Sequence, residues 1–242
     1  MDARKQARID LAAVLRWSAK LELHEGVDNH FSVMVPGEDD RFLINPHRRH
    51  WRDIRASDLV EVDAEGNLIE GSEPPEATAF FIHWRIHVKC AHARCILHTH
   101  MPYATALTAI EGGRLEPIAQ PALKFHNQIA YDDKYNGLAL DANEGDRLAD
   151  ALFDKRIAFL ANHGIIATGP TVAHAFNDLY YLERAAQAQV LAMSTGQPLQ
   201  RIPQDVCAST FEQMQSDRDD QATRHLAEIK RILDAQEPDY AE

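Results

Sequence analysis

Apolar residues recur near the helical period over the first part of the chain. Ala7, Leu11, Val14, Leu15 and Leu21 share a face, with Arg, Lys and Glu between them, which predicts a helix over 4–24 that Glu25-Gly26 stops. From Asn29 the texture changes to short apolar runs. Phe31–Val35, a Pro36-Gly37 turn and Phe42–Ile44 predict a hairpin, and Asp58–Val62 with Leu68-Ile69 across the polar turn 63–67 predict a second. Gly71–Glu76 reads as a loop, and 77–92 as a helix carrying Phe80, Phe81, Ile82 and Ile86. Cys95–His100 reads as a short buried strand and Pro102 opens a helix to Ile110, while 111–140 reads as loop and short strand. A helix at 144–153, a strand at Ile157–Leu160, turns at Gly164 and Gly169-Pro170, and a long helix at 171–195 follow. The remainder is polar, with one more helix at 217–235. No repeat or linker divides the chain, so helix and strand alternate within one domain over 1–200, followed by a tail over 201–242 that packs on the domain or on a neighbouring subunit.

Charge narrows the function classes. The chain carries 25 Lys+Arg against 37 Asp+Glu, a formal charge of −12, which argues against a partner made of nucleic-acid phosphates and against a polybasic membrane-surface role. No apolar stretch approaches the ~18 residues of a membrane-spanning helix, and the N-terminal segment lacks the apolar centre of a signal peptide. Cys90, Cys95 and Cys207 form neither a disulfide framework nor a zinc-finger spacing, so a reducing cytoplasm is expected. One count stands apart: thirteen histidines.

Their spacing gives that count a chemistry. On a strand, His98 and His100 point to one face, where two imidazoles can either chelate a metal or simply hydrogen-bond. His163, in Asn162-His163-Gly164 after the apolar strand, offers a third ligand, and three imidazoles with an open position are the set of a catalytic metal. His83 and His87 lie four residues apart on the helix 77–92, as ligands or as buried imidazoles behind the site. Arg48, Arg49 and His50 form a local basic cluster that could receive a substrate carboxylate, or be a solvated turn.

Together these segments resemble the class II aldolase/adducin family from about residue 7 to about 200. The resemblance is carried by Asn29-His-Phe-Ser32, Asn45-Pro46, His83-x-x-Ile86-His87, Cys95-Ile-Leu-His-Thr-His100, Leu160-Ala-Asn-His-Gly164, and Ala175-Phe176 leading to Tyr181-Leu-Glu-Arg184. It implies a three-layer α/β/α sandwich around a mainly antiparallel sheet, often in a homotetramer with sites between subunits. It also implies one divalent ion per subunit on His98, His100 and His163, commonly zinc, with Mn, Fe and Co also compatible with imidazole. The sequence departs from the sugar-phosphate aldolases of the family. Their acid/base Glu falls at Ala79, and the nearest carboxylate is Glu76. Asp28 stands where a Gly usually precedes Asn29, and His47-Arg48 replaces Ser-Gly in the phosphate-binding loop. Those changes argue against a phosphorylated ketose, and the Ala79-Phe80…His83…Ile86-His87 pattern instead resembles the adducin-type branch, with the three metal histidines retained.

Such a site suits a metal-dependent lyase that cleaves a C–C bond, by retro-aldol reaction or decarboxylation, in a small non-phosphorylated carboxylate. His87, Tyr131 and Tyr103 are the candidate acid/base groups, with Tyr135 a further one; Asn29, Arg48, Arg49 and His83 are the candidate substrate contacts. An adducin-like scaffold without catalysis, and a metal-dependent hydrolase or epimerase, are the alternatives.

Overall fold

The computed structural model describes residues 2–138 and 141–242; Ala139 and Leu140, at the end of the predicted loop stretch 111–140, lie outside the described residues. Eight strands form one sheet: β1 (His30–Met34), β2 (Arg41–Ile44), β3 (Val60–Asp63), β4 (Leu68–Glu70), β5 (Cys95–Thr99), β6 (Ile129–Asp132), β7 (Ile157–Leu160) and β8 (Gly164–Gly169). Their order is β4-β3-β2-β1-β5-β8-β7-β6, antiparallel except for the parallel pair β6–β7.

Alternation along the strands sends side chains to two helical layers. From β5, Cys95 and Leu97 join one core with Phe31, Phe159 and Ile165; this core is covered by α1 (Ala3–Lys20), α3 (Pro102–Thr108), α6 (Val172–Ser194) and α8 (Arg218–Gln236). Ile96, Ala158, Leu160 and Ile166 face the other way, onto α2 (Ala77–Lys89) and α5 (Ala142–Leu152). The result is the α/β/α sandwich with a mostly antiparallel sheet.

Two elements depart from the pattern read in the sequence. Gly164–Gly169 is a central strand and not a pair of turns. A Cβ on Gly164 would meet the Thr99 carbonyl at 2.5 Å, and one on Gly169 would meet the Ala175 nitrogen at 2.8 Å. These glycines permit close approach of backbones, the other use of a residue without a Cβ. The polar tail also contains an unforeseen helix, α7 (Gln204–Gln215), which buries little besides Cys207.

The second tail helix is anchored more firmly. Ala222, Leu226, Ile229 and Leu233 of α8 form a buried stripe at helical spacing, and Lys230 reaches Asp10 of α1 at 2.7 Å. Beyond it Asp239 takes the buried Arg16 guanidinium in two bonds, 2.8 and 3.0 Å. Leu233→Ala is therefore expected to cost about 2–5 kcal/mol in urea unfolding of the whole chain. An unchanged unfolding midpoint would show that the tail contributes nothing to the core.

Candidate metal centre and its cavity

Strand β5 runs buried through the middle of the sheet and ends where chemistry begins. His98 pairs with Ile166 across β5–β8, and its Nδ1 donates to the Ile165 carbonyl at 2.9 Å, which leaves Nε2 as the lone-pair nitrogen. His100 follows the strand. Its backbone N–H donates to Asn29 Oδ1 at 3.3 Å, its Nδ1 contacts the Glu25 carboxylate, and its Nε2 is buried without a partner. His163 sits in the tight turn from β7 to β8, which Gly164 presses against Thr99 and His100.

The three imidazole rings stand 4.8–5.1 Å apart, and one nitrogen from each lies within 4.8 Å of the other two. Burial, and then the neighbouring imidazoles, push His98 well below the usual histidine range, and burial takes His163 down to about 4. Near neutral pH both therefore keep their lone pairs, as a divalent ion requires. An unpartnered buried nitrogen on His100 and a carbonyl fixing the tautomer of His98 fit the same purpose. These residues suit one divalent ion with coordination positions left open.

The triad lines a cavity of about 700 Å³. Asn29, Arg48 and His83 line it, as do Glu76 and Tyr135, whose ring lies 6.3 Å from that of His163. Asn29 holds a left-handed backbone at φ 76°, and its Oδ1 accepts from both Glu25 N–H and His100 N–H. Its amide nitrogen is consequently left buried and unpartnered, as a donor. Four other sequence candidates are not among the described lining residues. Arg49 turns to Asp58 at 2.7 Å; the Tyr131 hydroxyl accepts from Leu115 N–H beneath Arg114; Tyr103 lies on α3 with its backbone N–H on Glu183; His87 is buried behind the wall.

Among the other lining residues, Glu76 was singled out in the sequence as the carboxylate nearest Ala79, whereas His30, Lys134 and Arg147 carried no such signal. Glu76 caps α2 and, although the helix begins where the pattern predicts, its carboxylate borders the cavity. Burial opposes its charge, but hydrogen bonds from Thr78 and Ala79 outweigh that and keep its carboxyl below the usual range. His30 faces it at 3.8 Å and is pushed by burial down to about 4. Arg147 also lines the cavity but is held between Asp132 at 2.7 Å and Glu144 at 2.5 Å. Lys134 and Arg48 face the same space, and no ion pair among the described residues engages either. Behind the wall, Ser32 Oγ lies 2.6 Å from His83 Nδ1 and 2.8 Å from His87 Nε2, while His87 Nδ1 meets the Ala93 carbonyl at 2.7 Å.

Comparison with known proteins agrees with this geometry. Residues 9–190 match the family model for the Class II Aldolase and Adducin N-terminal domain. A protein of Caulobacter vibrioides named for aldolase class 2 is 37% identical over 196 residues, 81% of this chain and 76% of its own. Decarboxylase NovR of Streptomyces niveus is 30% identical over 207 residues, 85% of this chain and 76% of that one. The crystal structure of an aldolase II superfamily protein from Pseudomonas syringae superposes with a TM-score of 0.93 at 33% identity, covering 100% of this chain and 97% of the other.

Burying neutral imidazoles has a measurable consequence. In the unfolded chain a histidine gains its proton near 6.5, whereas in the folded chain His30 does so only near 4 and His87 near 3. The unfolded state thus binds more protons below 6.5, so stability is full above that value and falls as pH drops towards 4. Metal-free protein is expected to lose about 2 kcal/mol for each of these two groups between about pH 7 and about pH 5. Equal urea midpoints at the two pH values would contradict the burial of neutral rings.

Proposed function

Because the chain belongs to the class II aldolase and adducin family, we propose that it is a divalent-metal-dependent lyase that breaks a C–C bond in a small, carboxylated, non-phosphorylated substrate. The observation that carries the reading is the convergence of His98, His100 and His163 in the wall of a cavity sized for a small molecule. Zinc is the proposed ion, with Mn, Fe and Co as the other candidates. When bound, the ion supplies a Lewis acid for the oxygen on which negative charge collects as the bond breaks.

The protein's own groups do the rest. Arg48, aided by Lys134, receives the carboxylate of a 2-oxo or 2-hydroxy acid, and the unpartnered Asn29 amide donates to a substrate oxygen. A dianionic phosphate suits the cavity poorly, since Glu25, Asp28 and Glu76 border it and Arg147 is already held by two carboxylates. Proton transfer falls to the titratable residues at the wall, among them Glu76, His30 and His83. The 30% identity to a decarboxylase supports C–C cleavage in a carboxylated substrate. We place the enzyme in the cytoplasm as a homotetramer; its three cysteines are free and buried, which suits a reducing compartment. No described helix is long and apolar enough to cross a membrane.

An adducin-like scaffold is the second reading, favoured by the alanine at position 79 in place of the acid/base Glu. Metal content separates the two. Purified protein is expected to hold about one divalent ion per chain by elemental analysis. His98→Ala or a chelator is expected to remove the ion and at least about 1000-fold of the lyase rate. Protein that never binds metal stoichiometrically would leave only the scaffold. Arg48→Ala is expected to raise KM for the carboxylate substrate about 10- to 100-fold with a smaller change in kcat. An unchanged KM would remove Arg48 from the substrate site.

A further inference from the structure

Ala93, His87, Ser32 and His83 form a hydrogen-bonded file behind the cavity wall, and its direction can be worked out from one end. A carbonyl oxygen only accepts, so His87 Nδ1 carries a proton and donates it to Ala93 at 2.7 Å. Burial pushes the His87 imidazole down to about 3, so the ring is neutral near pH 7 and its Nε2 holds only a lone pair. Ser32 Oγ, 2.8 Å away, therefore spends its one proton on that nitrogen. The hydroxyl can then only accept from His83, whose Nδ1 at 2.6 Å must be the donor. This fixes the tautomer of His83. Burial keeps this ring neutral as well, so its other nitrogen, Nε2, is left unprotonated, buried and without a partner, on a residue that lines the cavity.

Neither neighbouring candidate is fixed by such a file among the described residues. Glu76 accepts from Thr78 and Ala79 as the cap of α2, and His30 faces that carboxylate. We infer that His83 Nε2 is the proton acceptor of the C–C cleavage, with Ser32 and His87 as positioning residues that set its tautomer; this rests on the lyase reading above.

An imidazole fixed as an acceptor begins turnover by taking a proton, which suits retro-aldol cleavage of an aldol adduct of a 2-oxo acid. The hydroxyl proton goes to His83 Nε2, and the O–H electron pair forms the aldehyde C=O. The C–C pair moves into the enolate of the 2-oxo acid, and the same proton then returns to the enolate carbon. Decarboxylation needs no acceptor at its first step, so this tautomer favours cleavage of the aldol type.

Pyruvate in D2O tests the return of the proton in reverse, as removal of a methyl proton. The zinc-loaded full chain is expected to exchange those protons for deuterium, followed by proton NMR. His83→Asn keeps a donor for Ser32 but has no second ring nitrogen, and is expected to slow exchange about 100-fold or more at equal bound zinc. Nitrogen-15 NMR of the metal-free full chain is expected to find His83 protonated on Nδ1 and bare on Nε2. Ser32→Ala is expected to mix the two tautomers and slow exchange about tenfold.

A proton on His83 Nε2 in the wild type, or wild-type exchange in His83→Asn with zinc bound, overturns the assignment. If His83→Asn does not fold, Ser32→Ala decides: exchange unchanged while the tautomer is lost also overturns it. Wild-type protein that holds zinc yet never exchanges pyruvate overturns the lyase reading on 2-oxo acids, and the base with it. The wild-type control tells that failure from a failure of His83 alone.

Discussion

The antiparallel pairing of β5 with β8 is the contact on which the rest of this structure depends. It sets His98 opposite Ile166 and lets the Ile165 carbonyl fix the imidazole tautomer. At its end, Gly164 lies so close to Thr99 that no side chain fits between them. That approach brings the His163 turn to His100. A slip of one residue in this register would send His98 to the face covered by α1 and α6, because side chains alternate along a strand.

Burial is the second constraint, and it acts in opposite directions on stability and on function. Taking imidazoles out of water keeps them neutral, which favours lone pairs at the triad and at the wall. The same burial costs stability in acid, because the unfolded chain binds protons that the folded chain refuses. The acidic side chains are handled differently. Asp132 and Glu144 share the single charge of Arg147, and Glu76 is held ionised by the first turn of α2. The cavity therefore contains charges of both signs in a chain of net charge −12, with Arg48 and Lys134 the cations not bound up in described ion pairs.

Both helical layers serve the site, at different distances. α2 contributes His83 to the cavity and His87 to the file behind it, one turn apart on a buried face. β1 supplies Ser32 between them, and the same strand starts with His30 next to Asn29. A helix and a strand far apart in sequence thus share one hydrogen-bonded chain. The layer of α1, α6 and α8 has no part in that chain and gives mainly apolar contact beneath the sheet.

Much of the molecule was legible in the residues themselves. Periodicity located α1, α2, α6 and α8, and period-2 alternation put His98 and His100 on one face, because these patterns are local consequences of backbone geometry. The strand β8 was not legible, since its flanking glycines look like turn residues until the backbones they approach are in place. Sequence spacing joined His83 with His87 but could not say that Ser32 lies between them, nor that Glu25 reaches His100 from 75 residues away. Nor could it separate Arg48, which faces the cavity, from Arg49, which turns to Asp58. The sequence determined most of the elements and the three imidazoles. Only the tertiary structure decided which polar groups meet, because hydrogen bonds form between neighbours in space and leave no period along the chain.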